Sequence, residues 1–227
     1  MPDTRPTGLI TGASRGLGAA IARALAPTHD LLLGGRPSIE LDTLATELDG
    51  ASTWPVELTD LDEMAEATES IGRLDLLVHN AGVASIGTIE ETPPEEWRRM
   101  LEVNLISVAE LTRLTLPALR AARGHVVLIN SGQGKRASPG WSAYAASKFG
   151  LTAFAEVLRA EEPTLRVTSI FPGRIDTDMQ QDLTAMQGRE YDASRNLSAE
   201  AVAAAVAHAV TAAPGTDIQD VVIRPRD

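Results

Sequence analysis

Short apolar runs alternate along the chain with longer stretches in which apolar positions recur every three or four residues. The short runs are "TGLIT", "DLLLGG", "STWPV", "LDLLVHN", "HVVLINS", "RVTSIF" and "DVVIR". Several are apolar at consecutive positions, which predicts strands covered on both faces. Between them, "LGAAIARALA" and "EEWRRMLEVNLISVAELTRLTLPAL" carry helical spacing. With right-handed crossovers, this alternation predicts a doubly wound α/β fold, a parallel sheet of about seven strands with helices on both faces. Long helices are expected over residues 93–121 and 142–161. The segment "QQDLTAMQGREYDASRNLS" reads as polar and irregular until a helix begins after Ser198. No repeat, low-complexity tract or long linker divides the chain, so residues 1–227 are expected to form one domain.

Doubly wound sheets bind ligands beyond the carboxyl ends of their strands. At the first such end, "ITGASRGLGAAIA", Gly12, Gly16 and Gly18 follow a strand and open an alanine-rich helix. Backbone without side chains approaches a pyrophosphate closely, and the helix amino terminus offers free N–H groups. Ser14, Arg15 and Leu17 share this loop. At the second strand end, "LLLGGRPS", NAD-binding sheets place an acid roughly 20 residues beyond the glycines. Gly35 holds that position here and Arg36 follows it. Arg15, Arg36 and the Ser14 hydroxyl are therefore expected to converge on a 2′-phosphate, favouring NADP(H) over NAD(H).

The stretch "AYAASKFG" sets Tyr144 and Lys148 four residues apart. On a helix these positions share one face, one turn apart.

Composition narrows the remaining choices. The 227 residues are 44% hydrophobic but only 4% aromatic, so the core is built from aliphatic side chains. There is no cysteine, which excludes disulfides, thiolate metal sites and cysteine nucleophiles. Four scattered histidines form no ligand cluster, so no metal is expected. A formal net charge of −11 opposes general binding to nucleic acid or to an anionic membrane. "MPDTRPTGLITGAS" turns glycine-rich before an apolar run of signal-peptide length develops. No stretch reaches the roughly 18 apolar residues that cross a bilayer, and a cytoplasmic location is expected.

With "TGASRGLG", "HNAG", "VNL", "NSGQG" and "YAASK" in this order, the chain resembles the short-chain dehydrogenase/reductase family nearly end to end. The resemblance implies an oxidoreductase interconverting a small carbonyl compound and a secondary alcohol. Its catalytic residues fall on Asn104, Ser131, Tyr144 and Lys148. Tyr144 would exchange the proton, and Ser131 would hydrogen-bond the substrate oxygen. Lys148 would hold the nicotinamide ribose, and Asn104 would help anchor a water relaying protons to Lys148. A free phenol titrates near 10 and is a poor acid–base at neutral pH. The ammonium and the oxidised nicotinamide are expected to lower that value.

The same resemblance extends the cofactor site to Asn80, Ala81 and Gly82 of "HNAG", and to Glu57 and Leu58 of "VELTD", where glutamate replaces the usual aspartate. It adds Pro172, Gly173, Ile175 and Thr177 of "FPGRIDTDM". His79 stands where asparagine is commoner and is read as structural. Trp141 and Met179 are candidate apolar walls. Lys135, Arg136 and Arg174 lie in loops at the carboxyl edge; they read first as solvated cations, with attraction of an anionic substrate as the alternative. The long helices resemble the family's subunit interface, which implies a homodimer or homotetramer. Two alternatives remain: a non-catalytic dinucleotide-binding sensor, and an enoyl reductase of related fold. The latter usually has six residues between tyrosine and lysine, against three here.

Overall fold

Alternate residues of the central strands feed two separate cores, which explains why these strands read as unbroken apolar runs. The computed structural model describes residues 5–213 and 215–226. Its strands are β1 (Thr7–Thr11), β2 (Asp30–Gly35), β3 (Ala51–Pro55), β4 (Leu76–His79), β5 (His125–Ile129), β6 (Arg166–Pro172) and β7 (Asp220–Ile223). All pair in parallel, in the order β3-β2-β1-β4-β5-β6-β7. Ile10, Val127 and Ile129 point to one face, against α1 (Gly16–Leu25), α2 (Ile39–Glu47) and α8 (Ala199–Val210). Leu9, Val126 and Leu128 point to the other. That face packs α3 (Leu61–Thr68), α5 (Ser107–Ala122) and α6 (Ser142–Glu161). Leu9 and Ile10 are completely buried, each worth about 1.5–3 kcal/mol of apolar transfer.

The strand order reverses between β1 and β4, so the loops leaving these strands diverge and open a crevice. The apolar run expected over residues 93–121 forms α4 (Pro94–Leu101) and α5, joined by a π-helical turn at Glu102–Ile106. Such turns occur mostly as single insertions, often at functional sites. No helix among the described residues is long and apolar enough to cross a membrane.

The expected irregular segment after residue 179 is corrected by a helix, α7 (Asp178–Met186). Met179, Leu183 and Met186 recur at helical spacing within α7, but only Leu183 is buried, so packing contributes little to this helix. It is started instead by Thr177, whose hydroxyl accepts the Gln180 N–H.

Candidate active site

Helix α1 opens without a side-chain cap and without an acid in its first turn. By contrast α2, α3, α7 and α8 are capped by Ser38, Asp60, Thr177 and Ser198. The first free N–H groups of α1 therefore face the crevice with their positive dipole uncompensated. Gly12 and Gly16 adopt φ of 64° and 54°, which favours glycine. A Cβ on Gly18 would stand 2.0 Å from the Gly12 carbonyl oxygen, so any side chain there pushes α1 off the loop. Leu17 is buried beneath the loop. These features fit a pyrophosphate.

The loop is held by the end of β4. Asn80 Nδ2 donates to the carbonyls of Thr11 and Gly12, each at 3.0 Å. The Thr11 hydroxyl accepts the N–H groups of Asn80 and Ala81, at 3.0 and 3.1 Å. A Cβ on Gly82 would stand 3.2 Å from Asn104 Oδ1 and 3.8 Å from Lys148 Nζ. Gly82 is thus where β4, the π-helical turn and α6 meet.

Asn104 is fully buried. Its amide donates to the Val83 carbonyl at 2.9 Å and to Ser147 Oγ at 3.0 Å, and its oxygen accepts the Val83 N–H at 2.9 Å. The side chain therefore pins the loop after β4 to α6. The Asn104 amide is thus committed to protein partners.

Ser131 follows β5. Its oxygen accepts the Gln133 N–H at 3.2 Å, leaving the hydroxyl proton to be donated elsewhere. Asn130, which sequence reasoning missed, sets that geometry. Its oxygen accepts the Ser131 N–H at 2.8 Å, and its amide donates to the Lys148 carbonyl and to Thr152 on α6. The signal was an asparagine closing an apolar strand, where an unpaired amide would be costly.

Tyr144 and Lys148 lie on one face of α6, with Nζ 5.8 Å from the phenol ring centroid. Lys148 Nζ donates to the Ile129 carbonyl at 3.0 Å, and burial pushes its pKa down to about 8. The half-buried Tyr144 rests against Trp141, ring centroids 5.6 Å apart. The expected acidification of the phenol counted the bound oxidised nicotinamide as well as the ammonium; in the protein alone burial raises the Tyr144 pKa, and the Ser131 side chain opposes that rise without cancelling it. Lys148 Nζ is directed at the Ile129 carbonyl, and desolvation is the larger influence on the phenol.

The sequence model of the short chain dehydrogenase family matches residues 7–188. The chain belongs to that family. Bovine "Dehydrogenase/reductase SDR family member 7B" is 37% identical over 235 residues, covering 95% of this chain and 72% of that protein. "Benzil reductase ((S)-benzoin forming) IRC24" of Saccharomyces cerevisiae is 34% identical over 199 residues, 79% of this chain and 75% of that one. An alcohol dehydrogenase from Thermococcus sibiricus, complexed with 5-hydroxy-NADP, superposes with a TM-score of 0.89. It is 27% identical, with 97% of each chain covered. These relations make the chain a short-chain dehydrogenase/reductase oxidoreductase on a Rossmann-like sheet.

Asn104 lies on the π-helical turn, Ser131 follows β5, and Tyr144 and Lys148 lie in the first turns of α6. The outer cofactor residues are less tidy. Arg15 is drawn to Asp178 at 2.9 Å, while Arg36 is exposed and has no acidic partner among the described residues. One Glu57 oxygen is turned back onto the N–H and hydroxyl of Thr59, and Leu58 packs against the core. Pro172 closes β6, and the Gly173 N–H donates to the Ile223 carbonyl at 2.8 Å. Ile175 bridges to Leu197, and Thr177 approaches Gly16.

His79 is structural. Its Nε2 lies 2.9 Å from Thr112 Oγ1, and burial pushes its pKa down to about 3. Lys135 is corrected as a free cation near the site: it pairs with Asp220 at 2.6 Å and lies 4.1 Å over the Phe171 ring. Arg136 is exposed, and Met179 on α7 is partly exposed.

Proposed function

We propose that this dehydrogenase interconverts a carbonyl compound and a secondary alcohol using NADP(H), with Tyr144 as the proton donor and acceptor. One observation carries the reading: Tyr144 shares one face of α6 with a buried Lys148, whose Nζ lies 5.8 Å from the phenol ring centroid. When bound, the nicotinamide supplies or accepts the hydride. Ser131 donates its free proton to the substrate oxygen and stabilises charge developing there. Tyr144 holds its proton at neutral pH because burial raises its pKa, so the chain rests in the state needed for reduction. Lys148, fixed to the Ile129 carbonyl, holds the ribose hydroxyls close to the phenol.

The preference for NADP(H) is supported by the absence of an acid at Gly35, by the unpaired Arg36 and by Arg15 at the loop. A metagenomic short-chain oxidoreductase in complex with NADP, 31% identical over 99% of this chain with a TM-score of 0.80, points the same way. Ile106, Phe149 and Val157 are 44%, 44% and 52% exposed on the long helices, which supports assembly into a homodimer or homotetramer.

The test is NADPH consumption against a panel of ketones and enoyl compounds. Ketone-dependent oxidation that disappears in Tyr144→Phe is expected. Turnover of enoyl compounds alone, or turnover indifferent to the tyrosine, would replace this reading.

A further inference from the structure

A cavity of about 600 Å³ opens at the carboxyl ends of β6 and β7, with Arg174, Arg195, Arg224 and Arg226 on its walls. Parallel register sets Pro172 level with Ile223, so the arginines that follow each strand emerge side by side. Arg195 arrives on the turn Ala193–Arg195. That turn is tethered by the Leu197 N–H to the Arg174 carbonyl at 2.8 Å, and by the Asp176 N–H to the Leu197 carbonyl at 2.8 Å.

Several cations elsewhere are paired with acids, as at Arg23–Glu47, Arg120–Glu162 and Lys135–Asp220. None of the ion pairs among the described residues involves these four arginines. Asp176 holds the Tyr191 hydroxyl, and Asp192 accepts from the Ser194 N–H and hydroxyl at 3.0 and 2.6 Å. In a protein of net charge −11, four exposed arginines on the walls of one cavity give it a local positive potential that an anion would offset.

Arg224 links this cavity to the chemistry. Its Nη1 donates to the carbonyls of Phe171 and Ile223, at 2.9 and 3.1 Å. Its Nη2 lies 3.0 Å from where a Cβ would stand on Gly132, the residue after Ser131. Across the sheet, β7 is two strands from β5, about 10 Å. The pyrophosphate cradle at β1 lies beyond β4 and β5.

We propose that this arginine cavity receives a carboxylate or phosphate group carried by the substrate, holding its carbonyl toward Ser131 and Tyr144; this rests on the carbonyl–alcohol reading above. Guanidinium forks match both oxyanions through paired, charge-assisted hydrogen bonds.

The experiment has two arms, both on protein saturated with NADP⁺ or NADPH so that the cofactor's own phosphate sites are filled. Calorimetric titration with inorganic phosphate and with glutarate should show binding that weakens about tenfold or more in Arg174→Gln/Arg195→Gln, the usual cost of losing charged hydrogen bonds. Steady-state rates on levulinate and its methyl ester should show kcat/KM for the acid falling about tenfold further than for the ester in the same variant. A tighter response to phosphate identifies a phosphorylated substrate, and to glutarate a carboxylate. Binding that the variant leaves unchanged, or equal losses for acid and ester, overturns the proposal. Anion binding lost in the variant, in a protein that turns over no carbonyl compound, would sink the reductase reading and leave the anion site standing.

Discussion

Arg15 Nη1 meets Asp178 Oδ2 at 2.9 Å, joining the glycine loop to the first residue of α7. Both side chains are largely exposed, at 73% and 64%, so the pair is easily exchanged for a better anion. A 2′-phosphate is such an anion. If this chain takes NADP(H) as proposed, Asp178 competes with the 2′-phosphate for Arg15, and Asp178→Asn should tighten NADPH by about two- to fivefold while leaving NADH unchanged. Arg36→Asp should move preference the opposite way. Fluorescence titration with both cofactors checks this; a parallel change for the two would remove Arg15 from phosphate recognition.

The central strands β1, β4, β5 and β6 were legible because they are buried on both faces, so their apolar runs need no knowledge of their neighbours. Tyr144 and Lys148 were legible because helical spacing alone puts them on one face. Three features were not. Helix α7 rests on the Thr177 cap with a single buried leucine, and its three apolar residues at helical spacing are outnumbered by polar ones. The π-helical turn exists where Asn104 reaches Val83, a partner set by tertiary packing. Of the cavity arginines, Arg174 was anticipated beside Pro172 and Gly173. Arg195 and Arg224 reach it only through the pairing of β6 with β7 and the tether at Leu197. Lys135 pointed the wrong way because Asp220, which claims it, is 85 residues distant in sequence.

Tyr144→Phe keeps the ring against Trp141 and removes only the hydroxyl. Turnover of a ketone substrate should fall by about 10² to 10⁴, with NADPH affinity altered less than twofold, roughly the range for losing a general acid alone. Stopped-flow hydride transfer and equilibrium cofactor titration separate the two quantities. A turnover loss accompanied by an equal loss of cofactor affinity would assign the phenol to binding instead.

Burial that brings the Lys148 pKa to about 8 predicts a pH break. Below that value the ammonium carries its full charge toward the ribose and the phenol. As pH climbs through about 8 the charge is lost, so kcat/KM for reduction should decline across that interval. Lys148→Arg, which stays charged, should be slower throughout but show no break there. A break at the same pH in the arginine variant would place the titrating group elsewhere.

Asn104→Ala would strip partners from both the N–H and the carbonyl of the half-buried Val83 and leave a hole where the fully buried amide stood. Unsatisfied buried groups cost roughly 1–3 kcal/mol each, so a loss of about 2–4 kcal/mol in unfolding free energy is expected. Urea denaturation at neutral pH measures it. A loss below about 1 kcal/mol would mean that water replaces the amide.

His79 and His125 couple the core of the sheet to acid. His79 Nε2 contacts Thr112 Oγ1 at 2.9 Å, and His125 Nε2 contacts Thr168 Oγ1 at 2.8 Å. Desolvation holds both folded-state pKa values down to about 3, against about 6.5 in an unfolded chain. Between those values the unfolded state binds protons that the folded state refuses. Stability is therefore whole above pH of about 6.5 and declines as pH falls toward 3, by at most about 1.4 kcal/mol per pH unit for each histidine. Carboxylates titrate in the same interval, so the informative quantity is a difference in slope. Unfolding free energies of the wild type and of His125→Gln, measured from pH 6.5 to 4, should diverge in slope by up to about that amount, the variant being the less sensitive to acid. His79→Gln should do the same independently, because the two rings serve different strands and share no partner. Parallel slopes in both variants would show that these imidazoles take up protons in the folded core, against the burial that the sheet imposes on them.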